Sequence, residues 1–177
     1  MSASAATPWQ WAWREGIVPQ LSTAGLEALH KALECDDSAL IQGQNVMPPP
    51  LQRHESDHVV AACAISFAAW KGDCQGCAPV SDVHIRFAEI CYKADQVLGE
   101  PAATGFFLTE YDSWTREKMR RNLLPEVRSA LAERQRASVL PRADADAPQT
   151  EVAETKPPKK MAPSISREPQ APTGKAS

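Results

Sequence analysis

At 177 residues with 43% apolar content, the chain has the length and hydrophobicity for one globular domain with its own core. The net charge of -3 divides into 13 basic and 17 acidic residues over 1–137, and 6 and 5 over 138–177, so neither part gathers nucleic acid or acidic lipid by bulk charge alone. No apolar run approaches the ~18 to 20 residues of a membrane span, the N-terminus lacks a basic start and apolar h-region, and five cysteines is an odd number. These features point to reduced thiols in the cytosol and away from a disulfide framework.

Trp9, Trp11 and Trp13 alternate as in a strand, yet Thr7 as cap, Pro8 at the first helical position and Gly16 as stop describe a short helix equally well. We expect this Trp-rich segment, residues 1–20, to pack on a helical domain spanning 21–137. The same three indoles are candidate anchors for a protein partner.

Leu26, Leu29 and Leu33 recur at helical spacing with Glu27 and Lys31 opposite, which predicts a helix begun by Ser22 or Thr23 and stopped near Asp36. A shorter helix is expected over 37–41. Pro48, Pro49 and Pro50 then impose an extended connection.

His54-Glu55-Ser56-Asp57-His58 reads as an H-E-x-x-H string, the pattern that in zinc peptidases places two imidazoles one helical turn apart with a glutamate as general base. Arg53 and Asp57 put charge where those motifs are apolar, and a cap at Ser56 would leave His54 outside the helix. Polar residues at a helix start account for the string without a metal. Residues 59–70 are apolar on every side except Ser66, which predicts a buried central helix.

Cys74 and Cys77 form a C-x-x-C in the loop that follows, half of a zinc site or a redox pair. His84 and Cys91 are seven residues apart on one helix, about 10.5 Å of rise, so both cannot ligate one ion. The set left open is Cys74, Cys77 and His84 with His58 or His54. Antiparallel helices oppose it, because the start of one lies far from the loop at its other end. No cofactor is required, zinc being the one metal with a conceivable ligand set. A redox pair would follow a strand, and none is evident. Cys63 and Cys91 lie on apolar helices and read as core.

Val83, Phe87, Ile90, Ala94 and Val97 recur every three or four residues, predicting an amphipathic helix over 82–98 with Ser81 as cap and Gly99 past its end. Pro101 suits the first turn of a short aromatic helix carrying Phe106, Phe107 and Tyr111, although Gly105 weakens it. Thr115 can cap a last helix with Met119, Leu123, Leu124, Val127 and Leu131 inside, kinked or split by Pro125. Residues 116–136 hold 7 basic and 3 acidic residues, and Arg116, Lys118, Arg120 and Arg121 are the candidate phosphate contacts. Glu117 four before Arg121 fits an ordinary charged face instead, and no helix-turn-helix signature supports nucleic-acid binding.

The last forty residues, 138–177, are rich in proline, alanine and lysine with few large hydrophobes, a composition that reads as a disordered tail. Phosphate-loop, dinucleotide-binding and serine-hydrolase motifs do not occur.

Several strings occur together: Pro19-Gln-Leu-Ser, Leu40-Ile-Gln-Gly, Pro48-Pro-Pro-Leu51, Ala69-Trp-Lys-Gly-Asp73, Leu98-Gly-Glu-Pro101 and Leu124-Pro-Glu-Val127. Over Trp13 to Leu131 the chain resembles a family of short, uncharacterised bacterial proteins of the planctomycete type. The resemblance implies no activity and assigns no functional residue. The sequence therefore predicts an all-α fold, a single compact bundle of about five to seven short helices with a disordered C-terminal tail. As to function, it favours a non-enzymatic cytosolic interaction or accessory protein that binds a protein partner or itself and no membrane. A zinc- or thiol-dependent activity and weak nucleic-acid binding are the rivals.

Overall fold

The computed structural model describes residues 6–48, 58–74 and 78–139. The chain divides into two units, Met1–Pro141 and Arg142–Ser177, and the second, with nearly all of the expected tail, lies outside the described residues. Among its described residues the first unit is all-α apart from one two-stranded ribbon and two isolated bridges.

Helix α1 (Pro8–Trp11) starts where proline at the first position predicts, with Gln10 Oε1 accepting from the Thr7 N–H at 3.0 Å. It does not stop at Gly16. The chain continues through a π-helical turn, Ala12–Ile17, and a 3₁₀ turn, Val18–Gln20, in which Gly16 seats against Leu98: a Cβ there would lie 2.6 Å from Leu98 Cδ1. Trp13 and Ile17 join the main core, so residues 6–20 share one hydrophobic cluster with the helices that follow.

Helix α2 (Thr23–Cys35) has Ser22 as N-cap, its Oγ accepting from Gly25 N–H at 3.0 Å, and ends on Asp36 in the left-handed region at φ 57°. The short helix expected over 37–41 is absent. Asp37 Oδ1 accepts from Ala39 N–H at 2.9 Å, a local turn that competes with helix, and Ile41 N–H then donates to Ala62 O at 2.9 Å.

That bond forms a single parallel bridge, Leu40 with Ala62, beside a ribbon in which β1 (Val46–Met47) pairs antiparallel with β2 (Ala61–Ala62), Val46 opposite Ala62. The predicted central helix therefore starts later than 59, as α3 (Ala64–Gly72), with extended Cys63 at its N-cap. Cross-strand hydrogen bonds claim the backbone of 59–63: Val60 N–H donates to Met47 O and Cys63 N–H to Asn45 O. Buried on all sides as expected, α3 crosses α2 at backbone distance. A Cβ on Gly72 would lie 2.4 Å from Gly25 N, and one on Gly25 would lie 2.5 Å from Ala68 O.

Helix α4 (Val80–Leu98) begins two residues before its predicted start, with Pro79 rather than Ser81 at the cap, and ends on Gly99 at φ 69°. It buries Val83, Ile90 and Ala94, whereas Val97 is 61% exposed and lies off the inner stripe. Helix α5 (Thr104–Ser113) follows a turn that contains Pro101 and is capped from α4: the Asp95 carboxylate accepts from Ala102 N–H at 3.1 Å and Thr104 N–H at 2.8 Å. Helix α6 (Arg116–Val139) has Thr115 Oγ1 accepting from Lys118 N–H at 3.2 Å and is not split at Pro125, which sits on the exposed side where water reaches the carbonyl it frees. Among the described residues no helix is long and apolar enough to cross a membrane.

Two glycines give opposite expectations. Replacing Gly72 by alanine drives a methyl into the α2 backbone and is expected to lower stability by about 2 to 3 kcal/mol or prevent folding. Gly105, in the first turn of α5, has nothing within 4 Å of a Cβ, so Gly105→Ala should raise stability by about 0.5 kcal/mol. Urea unfolding of the two variants checks both signs.

Candidate functional site: a groove between α1 and α5

His54, Glu55 and Cys77 lie outside the described residues. His58 is exposed and forms an antiparallel bridge with Pro79, so the start of the 58–72 segment meets the loop after α3 rather than lying at the far end. Extended backbone over 58–62 reverses the distance that a continuous helix would impose. His84 is exposed on α4, Cys74 is half-buried against the core, and no group of three histidine, cysteine or acidic side chains able to hold a metal forms among the described residues. Burial, then Asp73 and Asp82, push the Cys74 thiol above its ordinary pKa, which disfavours the thiolate that metal binding or nucleophilic attack requires.

The basic run on α6 turns inward. Arg116 donates to the Asp36 carboxylate at 2.6 Å and to the carbonyls of Asp36, Asp37 and Leu40, while Arg120 donates to Leu33 O at 2.7 Å and Glu34 O at 3.0 Å. These guanidiniums cap the C-terminal end of α2, where the helix leaves carbonyls without partners and a partial negative charge. Sequence reading took them as phosphate contacts because the acceptors become neighbours only in the fold. Lys118 and Arg121 make no side-chain hydrogen bond to a described residue.

Of the three indoles, Trp13 is 0% exposed and stacks on Phe107 with centroids 4.9 Å apart, so it serves the core and is closed to a partner. Its Nε1 has no hydrogen-bond partner among the described residues. Trp11 is half-buried beside Phe106, and Trp9 sets its ring edge-on to Trp114 at 4.9 Å.

Trp9 and Pro8 form one wall of an open groove of about 580 Å³, and Gly105, Phe106, Thr109 and Glu110 of α5 form the other. The register of α5 makes this wall. Phe107 and Tyr111 are buried one turn apart, with Tyr111 Oη donating to Ile41 O at 2.7 Å, so Phe106 and Glu110 share the next face outward. Phe106 is 43% exposed. Glu110 accepts from Trp114 Nε1–H at 3.2 Å, which ties its carboxylate to the ring that packs on Trp9. It pairs with no cation among the described residues. Ala102, at one end, holds the left-handed conformation at φ 61°, a costly geometry for a residue with a Cβ. Sequence reasoning named Phe106 and Gly105 only as helix residues, although the Phe107/Tyr111 spacing carried the signal that Phe106 faces out.

No protein family, curated protein or solved structure matches this chain.

Burial pushes the Cys91 thiol from its ordinary 9.0 up to about 12, and displaces Cys63 and Tyr111 in the same direction. The unfolded chain loses these protons first, so stability should fall as pH rises from 9.0 towards about 12. Urea unfolding across that range tests it, with a flatter alkaline limb expected for Cys91→Ala. At pH 8 iodoacetamide should label exposed Cys35 well ahead of Cys63 and Cys91.

Proposed function

We propose that this chain is a non-catalytic helical interaction module of the cytosol that docks a partner protein in the groove between α1 and α5. The observation that carries this reading is the groove floor. Gly105 keeps ordinary helical geometry, meets nothing within 4 Å of a Cβ, and weakens the helix in which it stands, so packing within the fold gives no reason for it. Beside it Phe106 leaves an aromatic face in water, the kind of side chain that anchors protein interfaces. Together they form a surface where another backbone or side chain can approach α5 closely. The titratable groups singled out in the sequence support the same reading, since Arg116 and Arg120 are tied to α2, and the Cys63 and Cys91 thiols are held protonated by burial.

Affinity capture from a native lysate with the full chain tests the reading when run beside Gly105→Trp, which fills the groove, and Phe106→Ala, which removes the anchor. Retention of a partner should drop at least about tenfold in both variants, equivalent to about 1.4 kcal/mol, with unchanged circular dichroism. Undiminished capture by both variants removes the groove from the interface. Oligomers that disappear in both variants would make a second copy the partner.

A further inference from the structure

We propose that the groove receives a positively charged side chain of its protein partner, a lysine or arginine whose stem lies between Trp9 and Phe106 and whose head meets Glu110. The proposal rests on the docking reading above and adds the chemistry of the occupant.

Three observations point to a cation. The Glu110 carboxylate is held at the groove by the Trp114 indole N–H at 3.2 Å and, among the described residues, accepts no other hydrogen bond and pairs with no basic side chain. Its charge is therefore fixed in place with no partner of opposite sign. Next, the walls are aromatic where a cation would pass: Trp9 is braced edge-on by Trp114, and Phe106 stands exposed, an arrangement that attracts ammonium and guanidinium groups through the ring quadrupole. The chain already uses that pairing elsewhere, with Lys71 Nζ 3.4 Å from the Trp70 ring centroid. Finally, among the described residues no lysine, arginine or histidine lines the groove. Residues 1–137 carry 13 basic and 17 acidic residues, of which 7 and 3 lie within 116–136, leaving 6 and 14 elsewhere. Four of the seven, Arg116, Arg120, Arg128 and Arg134, are bonded to α2 or to the turns that flank it. Residues 1–137 thus carry a net charge of -4, with the basic excess confined to 116–136, a balance that favours encounter with a basic segment over an acidic one.

The test titrates the full chain with the capped peptide leucine-arginine-proline-leucine and with its citrulline counterpart, which keeps shape and hydrogen-bonding groups but lacks the charge. Amide and indole shifts of Trp9, Gly105 and Phe106 report the site. The arginine peptide should bind about tenfold more tightly, and the preference should shrink with added salt. Glu110→Gln, which retains the acceptor for Trp114, should erase the preference, and Gly105→Trp should abolish binding of both peptides. Equal binding of the two peptides, lost only in Gly105→Trp, overturns the cation assignment while the docking reading stands. No shift at the groove with either peptide also overturns it, and the capture experiment then judges the docking reading separately. A preference that survives in Glu110→Gln places the cation elsewhere and refutes the role given to that carboxylate.

Discussion

The crossing of α2 and α3 is the constraint on which the rest of the molecule is arranged. Gly25 and Gly72 bring the two backbones together with no side chain between them, and Ser22 lies at the same crossing while its hydroxyl caps α2. With α3 sealed in this way, its apolar residues from Ala64 to Trp70 become the centre of the core rather than one face of it. Close approach also removes freedom, since neither helix can slide without a clash of main chain on main chain. Helix α6 then has a defined rod to lie along. Arg116 and Arg120 meet the C-terminal carbonyls of α2, and Arg134 donates to Val18 O at 2.8 Å and Leu21 O at 2.6 Å near its other end. The two helices run antiparallel and are clamped at both ends by guanidiniums on backbone oxygens.

The N-terminal segment closes the remaining side. Glu126, only 7% exposed, accepts from Arg14 Nε at 2.6 Å and Nη2 at 2.7 Å and from Gln10 Nε2 at 3.0 Å, a two-pronged pairing that fixes the π turn against α6. Half of the Arg14 side chain stays in water, so the pair avoids the full desolvation penalty of a buried ion pair. Trp13 is thereby pressed onto Phe107, and Phe107 onto Tyr111 at 5.5 Å, so that one aromatic stack links the segment to α5. Trp13 Nε1, without a hydrogen-bond partner among the described residues, is the polar price of that packing.

How much of this was legible depended on whether a feature is local. The spacing of Leu26, Leu29 and Leu33, and of Val83, Ile90 and Ala94, carries its own period, and Ser22 and Gly99 act within one turn of themselves, so α2 and α4 were readable. The ribbon was not, because two residues per strand are too few to alternate, and Val59 to Cys63 differ from a buried helix in having backbone partners at Ala39, Ile41, Asn45, Met47 and Ala78. The same long-range pairing moved His58 next to Pro79, against the geometry expected of a continuous helix. Charge was misleading for a related reason. Arg116 and Arg120 look like a free basic face until the carbonyls at and just past the end of α2, 76 to 87 residues earlier in the chain, are placed beneath them.

The groove follows from the same logic and shows where local choices and global packing disagree. Once Phe107 and Tyr111 are committed to the core, helix geometry forces Phe106 and Glu110 onto one outward face, and α1, held by the aromatic stack and by Glu126, sets Trp9 opposite them. A surface built only for stability would place alanine at 105 and glycine at 102, since the first position tolerates a Cβ and the second resists one. The chain has the reverse at both. Ala102 is held in its left-handed conformation by a hydrogen bond to Asp95, and Gly105 leaves open the space a side chain would fill. Two departures from the stable choice thus lie three residues apart and line one groove, each with a conformational cost that the surrounding packing has to offset.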